Sequence, residues 1–261
     1  MIAALTLGSA LPHFIVIFFP TIDWKLVIII SSVLALISTL IMNWILVDIS
    51  TSFNRSPVSF QLLKKVFANK PVMLANYGYY GHQWELYAMW TWLPVFLNAS
   101  LLKNASQTSP WLSELLTFVS IGVAGAIGCV LGGYYAEKIG RSRLTIIAMS
   151  VSACCAILIG FTYGQAIWIT FIVSFIWGVS VIADSAQFSA AVTELSEVEY
   201  VGTAVTFQMS IGFMITIFSI NLIPVLQKQL GWEWVFAILS IGPILGIIAM
   251  LKLKHFETIK V

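Results

Sequence analysis

Charged residues are scarce in this chain of 261 residues. Asp, Glu, Lys and Arg together make up 9% of the sequence, whereas 59% is hydrophobic. An average globular domain carries about 25% charged residues, and here residues 144–183 contain none. Such a chain cannot cover a water-soluble surface, so its composition predicts an all-α polytopic membrane protein. The net charge of +2 implies no nucleic-acid partner.

Cysteine is also rare, and catalytic motifs are missing. Cys129, Cys154 and Cys155 all lie inside apolar runs, where thiols behave as small hydrophobes, so neither a disulfide framework nor a metal site is expected. The sequence has no paired-histidine zinc motif and no Gly-x-Ser-x-Gly elbow. We therefore expect no cofactor and no enzyme activity.

Eight apolar runs are long enough to cross a bilayer, which takes about 20 residues of helix. They are residues 2–19, 26–47, 71–97, 115–136, two runs within 144–183, 201–226 and 234–251. Residues 1–19 lack a basic start and a cleavage site, so they are interpreted as a first span rather than a signal peptide.

The polar segments divide these spans into groups. Residues 1–48 form a transmembrane hairpin, and 49–70 form a cytoplasmic linker with an amphipathic surface helix. Residues 71–255 hold six spans, followed by a tail at 256–261. Between residues 98 and 113 the sequence predicts a polar loop.

The basic residues are distributed unevenly between the two faces. With a cytoplasmic start, three of them fall outside: Lys25, Lys103 and Lys228. The other ten fall inside: Arg55, Lys64, Lys65, Lys70, Lys138, Arg141, Arg143, Lys252, Lys254 and Lys260. This bias predicts a multi-pass protein of the cell (inner) membrane with both termini in the cytoplasm.

The densest charge lies in residues 132–143, between two uncharged runs; we call this the signature segment. It reads Gly132-Gly133-Tyr134-Tyr135-Ala136-Glu137-Lys138-Ile139-Gly140-Arg141-Ser142-Arg143. We interpret it as a loop in which Gly132 and Gly133 allow close helix packing and Gly140 permits a turn. A plain basic loop that obeys the positive-inside rule is the alternative.

The spacing in this segment resembles the loop signature of the major facilitator superfamily. The matching positions are Gly133, Glu137, Lys138, Gly140, Arg141 and Arg143. Three departures occur: Glu137 replaces the usual Asp, Lys138 the usual Arg, and Ser142 interrupts the basic pair. The resemblance implies that Glu137 contacts a neighbouring helix start and the basic residues, in a contact that breaks and reforms as the transporter changes face.

The resemblance covers essentially the whole chain. It implies that residues 71–255 are the second six-helix half of a twelve-span transporter and that the leading hairpin ends the first half. Four spans of the first half, needed for function, would then be absent. Two further blocks, around residues 78–90 and 183–189, look like nitrate/nitrite-like or cyanate-like bacterial permeases.

Two carboxylates lie within predicted spans, where each charge costs at least about 2.5 to 3.5 kcal/mol. Glu85 is near the middle of the third span, with His82 one turn before it. Asn76, Tyr79 and Gln83 lie on adjoining faces. We predict a substrate or proton-coupling role, and the structural alternative is a hydrogen bond from Glu85 to His82 or a tyrosine.

The second carboxylate, Asp184, lies in the inner half of the sixth span. Gln187 follows on the same face, and Gln208 belongs to a polar seventh span. These three residues join the predicted substrate and proton-coupling set; for Asp184 an anchoring hydrogen bond is the alternative. No lysine or arginine lies within a span, so histidine is the only basic partner available.

The leading hypothesis is secondary active transport of a small solute by alternating access, within the lipid bilayer and with protons as a possible driving ion. A passive channel or a non-transporting membrane partner is the alternative, and an integral-membrane enzyme is disfavoured.

Overall fold

The computed structural model describes residues 2–45, 60–104 and 110–259, which are helical except for short turns. The α-helices are α1 (Ile2–Phe18), α2 (Trp24–Ile45), α3 (Phe60–Ala68), α4 (Lys70–Asn104), α5 (Pro110–Phe118), α6 (Ala124–Ile139), α7 (Arg141–Phe161), α8 (Ile167–Ala183), α9 (Ser185–Leu195), α10 (Val201–Leu230) and α11 (Ile241–Ile259). This confirms the predicted fold class. Only a helix satisfies its backbone hydrogen bonds within one bilayer-crossing segment, which is why apolar runs fold this way.

Three joints modify these helices. A π-helical turn, Val119–Val123, joins α5 to α6, and a 3-10 turn, Val235–Ser240, leads into α11. Asp184 alone separates α8 from α9. Counting each joined pair once, the described residues form eight long segments in addition to the short α3.

Within the described residues, six segments are long and apolar enough to cross a membrane. They are Trp24–Ile45, Trp111–Ile139, Arg141–Phe161, Ile167–Leu195, Val201–Leu230 and Val235–Phe256. Helix α1 is also apolar but has only 17 residues. Helix α4 is the longest at 35 residues, and its middle carries buried polar side chains.

The predicted linker is described only in part. Residues 46–59 lie outside the described residues, and α3 forms the remainder. Leu62 and Val66 are buried against α4 and α10. Lys65 Nζ donates a hydrogen bond to Glu199 Oε2 at 2.5 Å, and this bond raises the pKa of the Lys65 amine.

Helix α4 is longer than predicted, because residues 98–104 continue it instead of starting a loop. Polar contacts fix this end. Asn104 Nδ2 donates to the Gln165 carbonyl at 2.8 Å, and Lys103 Nζ lies 3.2 Å from Glu233 Oε1. A backbone hydrogen bond, together with Lys103, lowers the pKa of Glu233. The last span also continues past its predicted end at residue 251, to Ile259.

The signature segment is mostly helical, so the predicted twelve-residue loop is wrong. Helix α6 runs to Ile139 and α7 begins at Arg141, leaving Gly140 as the only break. The φ of Gly140 is +88°, a conformation that side-chain-bearing residues rarely adopt. The turn predicted at Gly140 is therefore confirmed.

Helices α6 and α8 approach so closely that their backbones touch. A Cβ on Gly132 would lie 2.1 Å from the Ala183 carbonyl oxygen, whereas a Cβ on Gly133 would meet nothing within 4 Å. Small residues allow such approach in membrane bundles. The close packing predicted for both glycines is thus confirmed for Gly132 and wrong for Gly133.

The apolar core has two parts along the bundle axis. One surrounds Trp177 and Phe236, and the other surrounds Phe188 and Met250. On α4 the second part ends at Tyr79 and the first begins at Leu86. The intervening turn of α4 carries the buried polar groups described next.

Candidate functional site

An acidic side chain and a histidine meet inside the bundle. His82 Nδ1, on α4, lies 3.0 Å from Asp184 Oδ1, and the two side chains are 1% and 2% exposed. Asp184 occupies the joint between α8 and α9. The alignment of the two groups falls short of a hydrogen bond, and the contact is an ion pair only when His82 is protonated. His82 Nε2 has no hydrogen-bond partner among the described residues.

Glu85 points to different partners. Ser152 Oγ of α7 donates to Glu85 Oε2 at 2.6 Å, and Trp177 Nε1 of α8 donates to Oε1 at 2.7 Å. Both oxygens are therefore satisfied by neutral donors. Glu85 connects α4 to α7 and α8, and it forms neither of the hydrogen bonds, to His82 or to a tyrosine, that the structural alternative named.

Both carboxylates are buried, with Glu85 2% and Asp184 1% exposed. Within the described part of the chain, His82 is the only basic group in contact with Asp184, and none contacts Glu85. Ionising both carboxylates would bury two negative charges beside a single histidine, which is energetically costly.

A layer of buried amides and aromatic rings lies on the neighbouring face of α4. Gln83 Nε2 donates to the Tyr79 hydroxyl, and both side chains pack against Gly212 of α10. Ser189 Oγ of α9 donates to Gln208 Oε1 at 3.2 Å. Several buried polar atoms here have no partner among the described residues: Asn76 Oδ1, Gln83 Oε1 and Gln208 Nε2. Since buried polar atoms are normally hydrogen-bonded, this layer leaves hydrogen-bonding capacity unused.

The signature segment contacts α9 through Arg141. Its guanidinium forms a bidentate pair with Glu194, with Nε at 2.9 Å from Oε2 and Nη2 at 2.6 Å from Oε1. Nη1 donates to Gln187 Oε1 at 2.6 Å. The side chain of Gln187 therefore binds Arg141, whereas its backbone N–H donates to the Asp184 carbonyl. The pair is partly exposed, and such pairs contribute about 1 kcal/mol or less.

The remaining positions of the signature lie at the surface. Glu137 and Arg143 are exposed, and Lys138 Nζ donates to the Tyr134 hydroxyl at 2.5 Å. The carboxylate bound to Arg141 is Glu194, whereas the resemblance implied this role for Glu137. Glu194 was recognisable only as part of an acidic segment on the same predicted face as the basic residues.

Comparison with known proteins decides the family. A sequence profile of the Major Facilitator Superfamily matches residues 1–220. The chain belongs to this superfamily. The match includes α4, the signature segment and Asp184, so the buried groups above lie within the superfamily region.

Two curated superfamily relatives are similar over part of the chain. Both are described as a probable sugar efflux transporter, from Helicobacter pylori strains J99 and P12. Each is 30% identical over 159 residues, which is 59% of this chain and 38% of the relative. The chain thus spans less than half the length of the curated relatives it matches. Their names differ from the nitrate/nitrite-like or cyanate-like label, so the subfamily stays open.

The sequence analysis missed three residues that contact a buried carboxylate or a histidine in this superfamily member. Ser152 and Trp177 bind Glu85, but both sit in a charge-free stretch without a distinguishing pattern. Glu114 of α5 lies 2.6 Å from His13 of α1. The signal for Glu114 was its position one residue before the predicted fourth span. No cluster of three His, Cys, Asp or Glu side chains suited to a metal occurs in the described ranges.

Proposed function

We propose that the transporter containing these residues moves a small solute by alternating access and couples this movement to protons at Asp184 and His82. The observation that carries the proposal is the buried Asp184–His82 pair, 3.0 Å apart at a joint between two helices. A histidine beside a carboxylate can hold or release a proton near neutral pH. Because Asp184 lies at a helix joint, the distance between His82 and Asp184 can also change when the helices move.

The enclosed charges give a physical reason for coupling. Asp184, Glu85 and His82 are all buried, so a change in the protonation of any one of them alters the free-energy cost of keeping it buried. The two states of an alternating-access carrier expose the site differently. A difference in proton affinity between these states transfers the energy of a proton gradient to the solute.

For the solute we propose a polyhydroxylated molecule of the sugar class. The unpartnered atoms of Asn76, Gln83 and Gln208 offer both acceptors and donors, which suit hydroxyl groups. Tyr79 and Phe188 lie in the same layer, with ring centroids 6.2 Å apart, and add apolar surface next to these amides. The Helicobacter pylori relatives, which are described as probable sugar efflux transporters, support the same class.

A counterflow assay with reconstituted transporter tests this function. Preloaded unlabelled sugar should drive transient uptake of labelled sugar, because a carrier exchanges solutes and a channel does not. A pH step of one unit corresponds to about 1.4 kcal/mol per proton and should sustain about a tenfold sugar gradient. Uptake without counterflow would favour the channel.

The same assay tests Glu85, for which we propose a role in proton coupling. Glu85→Gln keeps the shape, and its amide can still bind Ser152 and Trp177. We expect loss of proton-driven accumulation with counterflow retained. Weakened counterflow would assign Glu85 to a cationic group of the solute. If Glu85→Gln accumulated solute with the pH dependence of the wild type, Glu85 would serve only to hydrogen-bond Ser152 and Trp177.

We also propose that both termini lie in the cytoplasm of a cell (inner) membrane protein, on the charge bias of ten against three. Lys103 and Lys228 are exposed at the opposite end of the bundle from the signature segment. Single cysteines at these positions, in a variant without Cys129, Cys154 and Cys155, should react with an impermeant thiol reagent added outside intact cells. A cysteine at exposed position Arg143 is the control and should react only after lysis; the reverse pattern contradicts the orientation.

A further inference from the structure

A groove runs along the outside of the bundle between α4 and α11, and it consists of two adjoining cavities. The first, of about 650 Å³, lies where the N-terminal end of α4 meets the C-terminal end of α11. The second, of about 590 Å³, continues toward the bundle centre and is also lined by α10. Leu74, Tyr77 and Lys252 line both cavities, which makes them one continuous surface. We call it the α4–α11 groove.

The groove is basic at one end and apolar along the rest. Lys70, Lys252 and His255 line the first cavity. Apolar side chains line the second: Trp84, Ile215, Phe218, Leu245 and Ile248. No Asp or Glu occurs among the described residues that line either cavity. The basic end is the end that carries the signature segment.

The length of the groove fits one leaflet of a bilayer. On α4 it extends from Lys70 to Trp84, which at about 1.5 Å per residue is about 21 Å. A whole bilayer with its headgroups is about 40 to 45 Å thick, so one leaflet is about 20 to 22 Å. A phospholipid aligned along the groove would place its phosphate at Lys70 and Lys252 and its acyl chains against Trp84 and Leu245.

From this charge and shape complementarity we propose that the α4–α11 groove is a binding site for an anionic phospholipid. The cations bind the phosphate and any further negative charge of the headgroup, while the apolar walls bind the chains. A free anion would use only the basic end and would leave the apolar part of the groove uncovered. Neither Glu85 nor its partners Ser152 and Trp177 line the groove, so this site is separate from the proposed coupling site.

Native mass spectrometry of the purified protein with added dioleoyl phosphatidylglycerol tests the proposal. Each lysine near a membrane surface contributes a factor of about five to the binding of anionic lipid. The double variant Lys70→Gln/Lys252→Gln should therefore bind about 25-fold more weakly than the wild type. The matched control, Lys103→Gln/Lys228→Gln, removes the same charge at the opposite end and should bind as the wild type does.

Two further measurements separate lipid from free anion and from misfolding. Dioleoyl phosphatidylcholine, with the same chains and no net charge, should bind about as weakly to the wild type as phosphatidylglycerol does to the double variant. Leu245→Trp, which fills the apolar part and keeps the cations, should also weaken phosphatidylglycerol binding at an unchanged unfolding temperature. Equal affinities of the two double variants, displacement of the lipid by excess inorganic phosphate, or full binding by Leu245→Trp would each overturn the proposal.

Discussion

Gly132→Ala should lower the thermal unfolding temperature of the purified protein, whereas Gly133→Ala should leave it unchanged or raise it slightly. Both substitutions improve helix propensity by about 1 kcal/mol, so this contribution is common to the pair. Only at position 132 does the new methyl group meet a neighbour, since its Cβ would lie 2.1 Å from the Ala183 carbonyl oxygen. Helices α6 and α8 would have to separate.

The expected difference follows from the cost of overpacking, about 1 to 3 kcal/mol. For a domain of 150 to 250 residues each kcal/mol shifts the unfolding temperature by about 2 to 4 °C. Gly132→Ala should therefore unfold about 2 to 12 °C below Gly133→Ala in the same detergent. Equal unfolding temperatures for the two variants would show that α6 and α8 are further apart at Gly132 than in this structure.

The helical character of the apolar runs was predictable because hydropathy is a local property. Each run of about 20 apolar residues must form a helix in lipid, whatever its neighbours. Helix ends were less predictable. The segment ending at Asn104 contains polar residues typical of a loop, yet partners such as Gln165 and Glu233 extend the helix. Those partners lie more than sixty residues away.

Side-chain pairing within the bundle was not predictable for a geometric reason. His82 and Glu85 are three residues apart and therefore point about 60° apart around α4. One reaches Asp184 and the other reaches Ser152 and Trp177. Sequence spacing places both on one broad face, but the neighbouring helices α7, α8 and α9 decide which partner each residue meets. The pairing of Arg141 with Glu194 was unpredictable for the same reason, because Glu194 lies on another helix, 53 residues further along the chain.

Asp184→Asn should abolish proton-driven accumulation of solute while solute exchange continues. Asparagine has nearly the same shape but binds no proton between pH 5 and 8. Without the Asp184 charge, His82 loses its only acidic contact among the described residues. The tenfold solute gradient expected for a pH step of one unit should therefore fall to equal concentrations on the two sides.

The control for this variant is Glu197→Gln, which removes one carboxylate from the exposed turn between α9 and α10. It should accumulate solute as the wild type does. The double variant Asp184→Asn/His82→Gln should be no more impaired in accumulation than Asp184→Asn alone, because residues that act as one unit are not additive. If Asp184→Asn instead lost exchange and accumulation together, with its unfolding temperature unchanged, the carboxylate would belong to solute binding. Normal accumulation by Asp184→Asn would show that the His82–Asp184 pair only connects helices. A coupling proton has to be carried by a group that can bind and release it, and asparagine cannot do so.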